Sequence, residues 1–265
     1  MLGGVTQEEE VGMWRRWWAS GQAAASALLG GVSVSEAVDV CAARRGAQEA
    51  LWLERGLEIE GFGHARWSFA DVGRFVRRAA SALELVGKVQ AGERVAVLTG
   101  NGVEQPLLSL AVMRCGAVAV PLNPQLRVSE VRYILEDCGA QVAVVDGRAL
   151  EEVIRPLLAQ GGAPSLRCVL VDGEPGAALA GGVASVGLRG AMEGAHEGAP
   201  AAQVGEGEVC SLFYTSGTTG FPKGAMLTGE GLLRSAGPLL ALPGGGPRTL
   251  LLALPSAHIM GFAAF

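Results

Sequence analysis

The groups in this chain that could do chemistry concentrate in one stretch, Ser211 to Thr228, which reads S-L-F-Y-T-S-G-T-T-G-F-P-K-G-A-M-L-T. Thr215, Ser216, Thr218 and Thr219 supply hydroxyl donors, Gly217, Gly220 and Gly224 supply permissive backbone, and Lys223 supplies a point charge. This is a phosphate-holding composition. Glycines let successive N–H groups converge on an anion, and each hydrogen bond to a charged oxygen contributes about 1.5–3 kcal/mol net. The spacing excludes a Walker loop, which needs G-x-x-x-x-G-K-[ST]; here Gly224 follows the lysine where that motif has Ser or Thr. An ordinary turn has a similar Gly/Ser/Thr composition, and a lysine can simply solubilise one. Against that stands lysine usage: only Lys88 and Lys223 occur beside nineteen arginines. A compact ammonium on a flexible stem suits a moving phosphate contact better than a planar guanidinium does.

Positioning such a loop requires strands on either side, and the apolar flanks Val209 to Tyr214 and Ala225 to Leu227 read as that pair. Upstream, apolar strands alternate with helices: strand Arg94 to Thr99, helix Val103 to Cys115, strand Ala117 to Pro121, helix Ser129 to Cys138, strand Gln141 to Asp146, helix Leu150 to Gln160, strand Arg167 to Asp172. The expectation is an α/β fold of layered, largely parallel sheets flanked by helices. Before it, Ser35 to Arg45 reads as a helix with Ala37, Val38 and Cys41 on one face, and Glu49 to Leu53 with Arg66 to Phe69 as an irregular hairpin. Ser68 and Asp71 form a capping box opening a helix with the stripe Phe69, Val72, Phe75, Val76, Ala79, Leu83 and Val86. Its Arg74, Arg77 and Arg78 read as a solvated face. Gly139 sits where a left-handed helix cap belongs. Gly173 to Glu208, rich in Gly and Ala and containing His196, reads as a long surface connection. Thr228 caps a helix running to Leu240, Pro243 to Pro247 is a turn, Thr249 to Leu254 a strand, and Gly261 onward the opening of a helix.

The run Y-T-S-G-T-T-G-F-P-K-G resembles the signature loop of the adenylate-forming superfamily, which includes acyl-CoA synthetases, aryl-CoA ligases, luciferases and peptide-synthetase adenylation domains. The similarity extends to M-R-C-G-A-V-A-V-P-L-N-P (Met113 to Pro124), with Cys115 at a usual alanine, to R-Y-I-L-E-D (Arg132 to Asp137), and to L-P-S-A-H-I-M-G-F (Leu254 to Phe262). After Thr228 the family often shows H-x-N, whereas Gly229-Glu230-Gly231 stands here. The resemblance implies an N-terminal extension over residues 1–31 and the N-terminal part of an AMP-binding domain over 32–265. It implies ATP with Mg2+, and coenzyme A as the thiol acceptor. The substrate would be a carboxylic acid, made into an acyl-adenylate and then a thioester. Thr215, Ser216, Gly217, Thr218, Thr219, Gly220 and Lys223 would grip the ATP phosphates. His258 would stand at the mouth of the acid pocket, a role weighed against that of a histidine satisfied at a strand end. Amino-acid-activating relatives place an aspartate in this segment; Leu254 to Phe262 has none, which favours an acyl or aryl acid.

The family's downstream adenine, ribose, hinge and lid-domain motifs have no counterpart within residues 1–265. A working ligase is therefore expected only in a longer form, and this chain alone is expected to be inactive. The alternatives are a non-catalytic nucleotide-phosphate-binding or docking protein, and a peptide-synthetase adenylation domain. A net charge of −5 without a basic block gives no footprint for nucleic acid. Five widely spaced cysteines read as reduced thiols, with no metal-ligand spacing, and point to a cytoplasmic setting. Trp14, Trp17 and Trp18 beside Arg15 and Arg16 are a candidate membrane-interface contact, or else an extension packed on its own domain.

Overall fold

The structure, a computed structural model, describes residues 31–197, 200–205, 207–215, 221–240 and 254–264. Chain order begins with α1 (Val34–Arg45), an antiparallel hairpin of β1 (Glu49–Trp52) and β2 (Arg66–Ser68), and α2 (Phe69–Leu85). The expected capping box is present: Ser68 Oγ accepts from Asp71 N–H, and Asp71 Oδ2 accepts from Ser68 N–H. The α2 stripe buries Phe75, Val76, Ala79 and Leu83. In α1 the expected face is only half-buried, and the buried residues are Val34 and Ser35 at its start.

The main sheet is built from the parallel strands β3 (Arg94–Leu98), β4 (Val118–Pro121), β5 (Val142–Asp146), β6 (Cys168–Asp172), β7 (Ala184–Gly187) and β8 (Val209–Thr215), with the antiparallel β9 (Lys223–Thr228) at one edge. Among the described residues these seven strands lie in the order β7-β6-β5-β3-β4-β8-β9. Period-two alternation sends Val95 and Val97 to a core shared with α2 and with α3 (Glu104–Arg114), and Ala96 and Leu98 to a second core. That second core holds α4 (Val128–Cys138) and the helical run after β5. Both faces are thus covered, as near-continuous apolar strands require. Gly139 ends α4 at φ 60°, the left-handed cap expected. After β5, Asp146 caps α5 (Gly147–Ala149), which continues as a π-helical turn (Leu150–Ile154) and α6 (Arg155–Ala159). The helix therefore starts earlier than its apolar pattern suggested.

Two expectations are corrected. Residues 173–208 are not a plain connection: they contain the edge strand β7 and α7 (Leu188–Glu193), whose Leu188 and Met192 are buried in the first core. Arg74, Arg77 and Arg78 are not a solvated face. Arg77 bridges Asp39 of α1 (3.0 Å) and Glu197 (3.6 Å), Arg78 pairs with Glu197 (3.2 Å), and Arg74 with Asp71. The Arg77 and Arg78 pairs tie α1, α2 and the chain beyond α7 together. All five cysteines are free thiols. Among the described residues no helix is long and apolar enough to cross a membrane. Trp14, Trp17 and Trp18 lie outside them, as do the expected turn at 243–247 and all of the expected strand Thr249 to Leu254 except Leu254, which lies in a bend.

Candidate functional site

Because β8 runs parallel to β4, its last residue, Thr215, reaches the same sheet edge as Leu98, Pro121 and Asp146. Ligands of open α/β sheets bind in the crevice beyond these carboxyl ends. Strand β8 is seated by burial of Cys210, Ser211 and Phe213, and Ser211 Oγ donates to Ala119 O of β4 at 2.9 Å. The antiparallel ladder then sets Lys223 directly opposite Thr215, both exposed. Of the expected phosphate ligands, Thr215 and Lys223 therefore face each other across the hairpin mouth. Ser216, Gly217, Thr218, Thr219 and Gly220 lie outside the described residues.

Helix α4 holds both stems of this hairpin. Tyr214 Oη donates to Asp137 Oδ2 at 2.6 Å, and the Phe221 ring lies 5.2 Å from that of Tyr133, one helical turn from Asp137. Burial, and then the Asp137 carboxylate accepting its proton, push the Tyr214 phenol well above its ordinary range, so it stays a donor. Opposite Tyr214 in the ladder is Gly224, where an added Cβ would stand 3.0 Å from Tyr214 Cζ. The glycine after the lysine thus makes room for an aromatic ring laid across the strands. Burial lifts the neighbouring Cys210 thiol to about 11.

His258 is exposed and precedes α9 (Ile259–Ala264). Its N–H donates to Pro255 O (3.0 Å) and its carbonyl accepts from Phe262 N–H (3.0 Å). Phe262 packs on Phe213 of β8, with ring centroids 5.6 Å apart. Two residues before His258, Ser256 Oγ hydrogen-bonds Gln105 Oε1 of α3 (2.7 Å), and Ser256 N–H reaches Asn101 Oδ1 (3.3 Å). The His258 segment therefore docks on the carboxyl edge that also carries Thr215 and Lys223. Thr228 Oγ1 accepts from Gly231 N–H at 3.1 Å and caps α8 (Gly229–Leu240) as expected. Sequence reasoning missed Tyr133, Asp137, Asn101 and Gln105. The available signals were an aromatic and an acid four apart on one helix, and a glutamine at a core-facing position of another, two residues before the apolar run that starts at Leu107.

Among the described residues no group of three or more His, Cys, Asp or Glu could hold a metal ion. The described groups at the hairpin mouth are a hydroxyl and an ammonium; both donate to anionic oxygens, and the ammonium repels a cation. A Mg2+ ion would fit beside them as the companion of a bound polyphosphate.

A mostly parallel sheet covered on both faces, with a Thr/Lys hairpin at its carboxyl edge, is the architecture of the N-terminal domain of adenylate-forming enzymes. Residues 38–265 match the AMP-binding enzyme family, and the chain belongs to it. A long-chain-fatty-acid–CoA ligase, FadD13 of Mycobacterium tuberculosis, is 29% identical over 178 residues, 67% of this chain and 33% of that one. The inhibitor-bound N-terminal domain of FACL13 from M. tuberculosis superposes with a TM-score of 0.73 at 26% identity, covering 87% of this chain and 53% of that one. The anthranilate CoA ligase AuaEII in complex with anthranoyl-AMP gives 0.63 at 27% identity, covering 77% and 35%. The chain thus spans about a third of the length of the curated relatives it matches.

Proposed function

We propose that this chain supplies the phosphate-gripping and acid-facing part of an ATP-dependent acid–thiol ligase. A carboxylate oxygen attacks the α-phosphorus of Mg-ATP, the bond to the bridging oxygen breaks, and pyrophosphate leaves. The thiol of coenzyme A then attacks the acyl carbon, forming a thioester and expelling AMP. The protein's part in the first step is positioning and charge neutralisation. Thr215, Ser216, Gly217, Thr218, Thr219 and Gly220 hold the β and γ phosphates, Lys223 follows the departing pyrophosphate, and His258 faces the incoming acid. An acyl or aryl acid fits better than an amino acid, because Leu254 to Phe262 carries no aspartate to hold an ammonium. Relatives named for a long-chain fatty acid and for anthranilate support both acid types.

The observation that carries this reading is the register Thr215↔Lys223 at the carboxyl edge of the sheet. It sets Thr215 and Lys223, the one cation of the stretch 215–223, opposite each other. The test is calorimetry of Mg-ATP and Mg-pyrophosphate binding to the whole chain, with Lys223→Ala beside it. Binding weakened about tenfold, or about 1.4 kcal/mol, is expected from loss of one charge-assisted contact. Failure of both ligands to bind overturns the proposal, and unchanged affinity removes Lys223 from it.

A further inference from the structure

Gln105 is fully buried at the start of α3, a helix that also buries Leu107, Leu108, Ala111 and Val112. A buried amide is costly unless every polar atom is matched, and this one is matched without slack. Its Nε2 donates to Leu122 O (2.7 Å) and Val97 O (3.3 Å), the carbonyls at the carboxyl ends of the adjacent strands β4 and β3. Two carbonyl acceptors fix which end of the amide is nitrogen. The oxygen is left for one donor, the hydroxyl of Ser256, itself 3% exposed. Asn101 Oδ1 takes the Ser256 N–H, so the hydroxyl and the amide of Ser256 are held from the first turn of α3 and from the β3–α3 connection.

We propose that Gln105 is a positioning residue. Through Ser256 it sets where the turn 255–258 and the first turn of α9 stand on the carboxyl edge, and so where His258 is presented. Gln105 touches no reacting atom; it acts through Ser256 and His258. The functional weight of that placement rests on the acid-facing role proposed for His258, but the placement itself does not.

The test uses the whole chain and two readouts. One is hydrogen exchange at the Phe262 amide, whose bond to His258 O is the first of α9. The other is the imidazole resonance of His258, assigned by its loss in His258→Gln and compared with His64 and His196. Ser256→Ala and Gln105→Met should each speed Phe262 exchange about fivefold, as expected for one hydrogen bond. Each should also shift the His258 resonance while leaving His64 and His196 in place. The double variant should do no more than either single change, and Ser256→Thr, which keeps the hydroxyl, should match the parent. Ser256→Ala and Ser256→Thr decide the matter if Gln105→Met does not fold. Indifference of the His258 resonance to Ser256→Ala, or full additivity in the double variant, overturns the proposal. If the placement responds as expected while acid and nucleotide binding ignore His258→Gln, the positioning stands and the role proposed for His258 falls.

Discussion

Replacing Gly224 by alanine tests why the hairpin has the residues it has. The new Cβ would stand 3.0 Å from Tyr214 Cζ and 3.2 Å from its Oη, closer than such contacts settle. The ring cannot swing away freely, because its hydroxyl is bonded to Asp137 at 2.6 Å. Overpacking of this kind costs about 1–3 kcal/mol, and a lost hydrogen bond accounts for about 0.5–1.5 of it. Alanine returns about 0.4–1 kcal/mol by restricting the unfolded chain. A net loss of about 1 kcal/mol is expected. Removing the ring reverses the balance. In a Tyr214→Ser background nothing opposes the new methyl group, and the same Gly224→Ala change should stabilise by a few tenths of a kcal/mol to about 1. Urea unfolding of the four proteins, compared at equal slope, reads both values. An effect of the same sign in both backgrounds would refute the assignment of Gly224 to the Tyr214 ring and return the glycine to a role in loop conformation.

Burial holds the thiols of Cys138 and Cys210 up at about 11 against an ordinary 9.0. Below pH 9 each carries about a hundredfold less thiolate than a free thiol, partly offset by greater intrinsic reactivity, so alkylation at least about tenfold slower is expected. Mass spectrometry of iodoacetamide-treated native protein checks this, and labelling at the free-thiol rate would contradict it. Burial also pushes the Asp71 carboxyl up, but the hydrogen bonds from Ser68 and the Arg74 charge outweigh it and hold the group below its ordinary 3.8. Its folded-state value is depressed, so its stabilisation is complete above the unfolded value and drains away as pH falls through the folded one. Asp71→Asn should cost about 1 kcal/mol at neutral pH as a lost cap, with the gap to the parent closing below pH 3.8. A gap that does not change with pH would sink this account.

The parts of the fold legible in the sequence were those whose cause is local. The Ser68–Asp71 box, the glycine cap at 139, the apolar strands and the Thr228 cap each depend on residues within one turn or one strand, and each formed where expected. Residues 173–208 were misread because their signal is thinner than one period. Strand β7 offers Val186 as its lone β-branched residue, and α7 has only Leu188 and Met192, four apart, among Gly and Ala. The arginines of α2 were misread for the opposite reason. The partners of Arg77 and Arg78, Asp39 and Glu197, lie 38 and 119 positions away, so composition showed the charges and hid the pairs; Arg74 pairs with Asp71 on its own helix.

The site divides along the same line, and the division explains what a motif can and cannot say. Phosphate-type donors must crowd into one loop to meet one anion, so the chemistry proposed for Thr215 to Lys223 is legible within nine residues of sequence. What holds Tyr214 and Phe221, on either side of that stretch, and the His258 turn comes from elsewhere: Tyr133 and Asp137 on α4, Asn101 and Gln105 at the head of α3. Each looks unremarkable in its own segment, because the bond that matters is made across 77 positions for Asp137 and 151 for Gln105. Substitutions at these anchors should therefore act on placement, shifting exchange rates and resonances of the segments they hold, while substitutions within 215–223 should act on anion affinity directly. A Tyr133→Ala variant that loosened nothing in the hairpin stems yet abolished phosphate binding would break that separation.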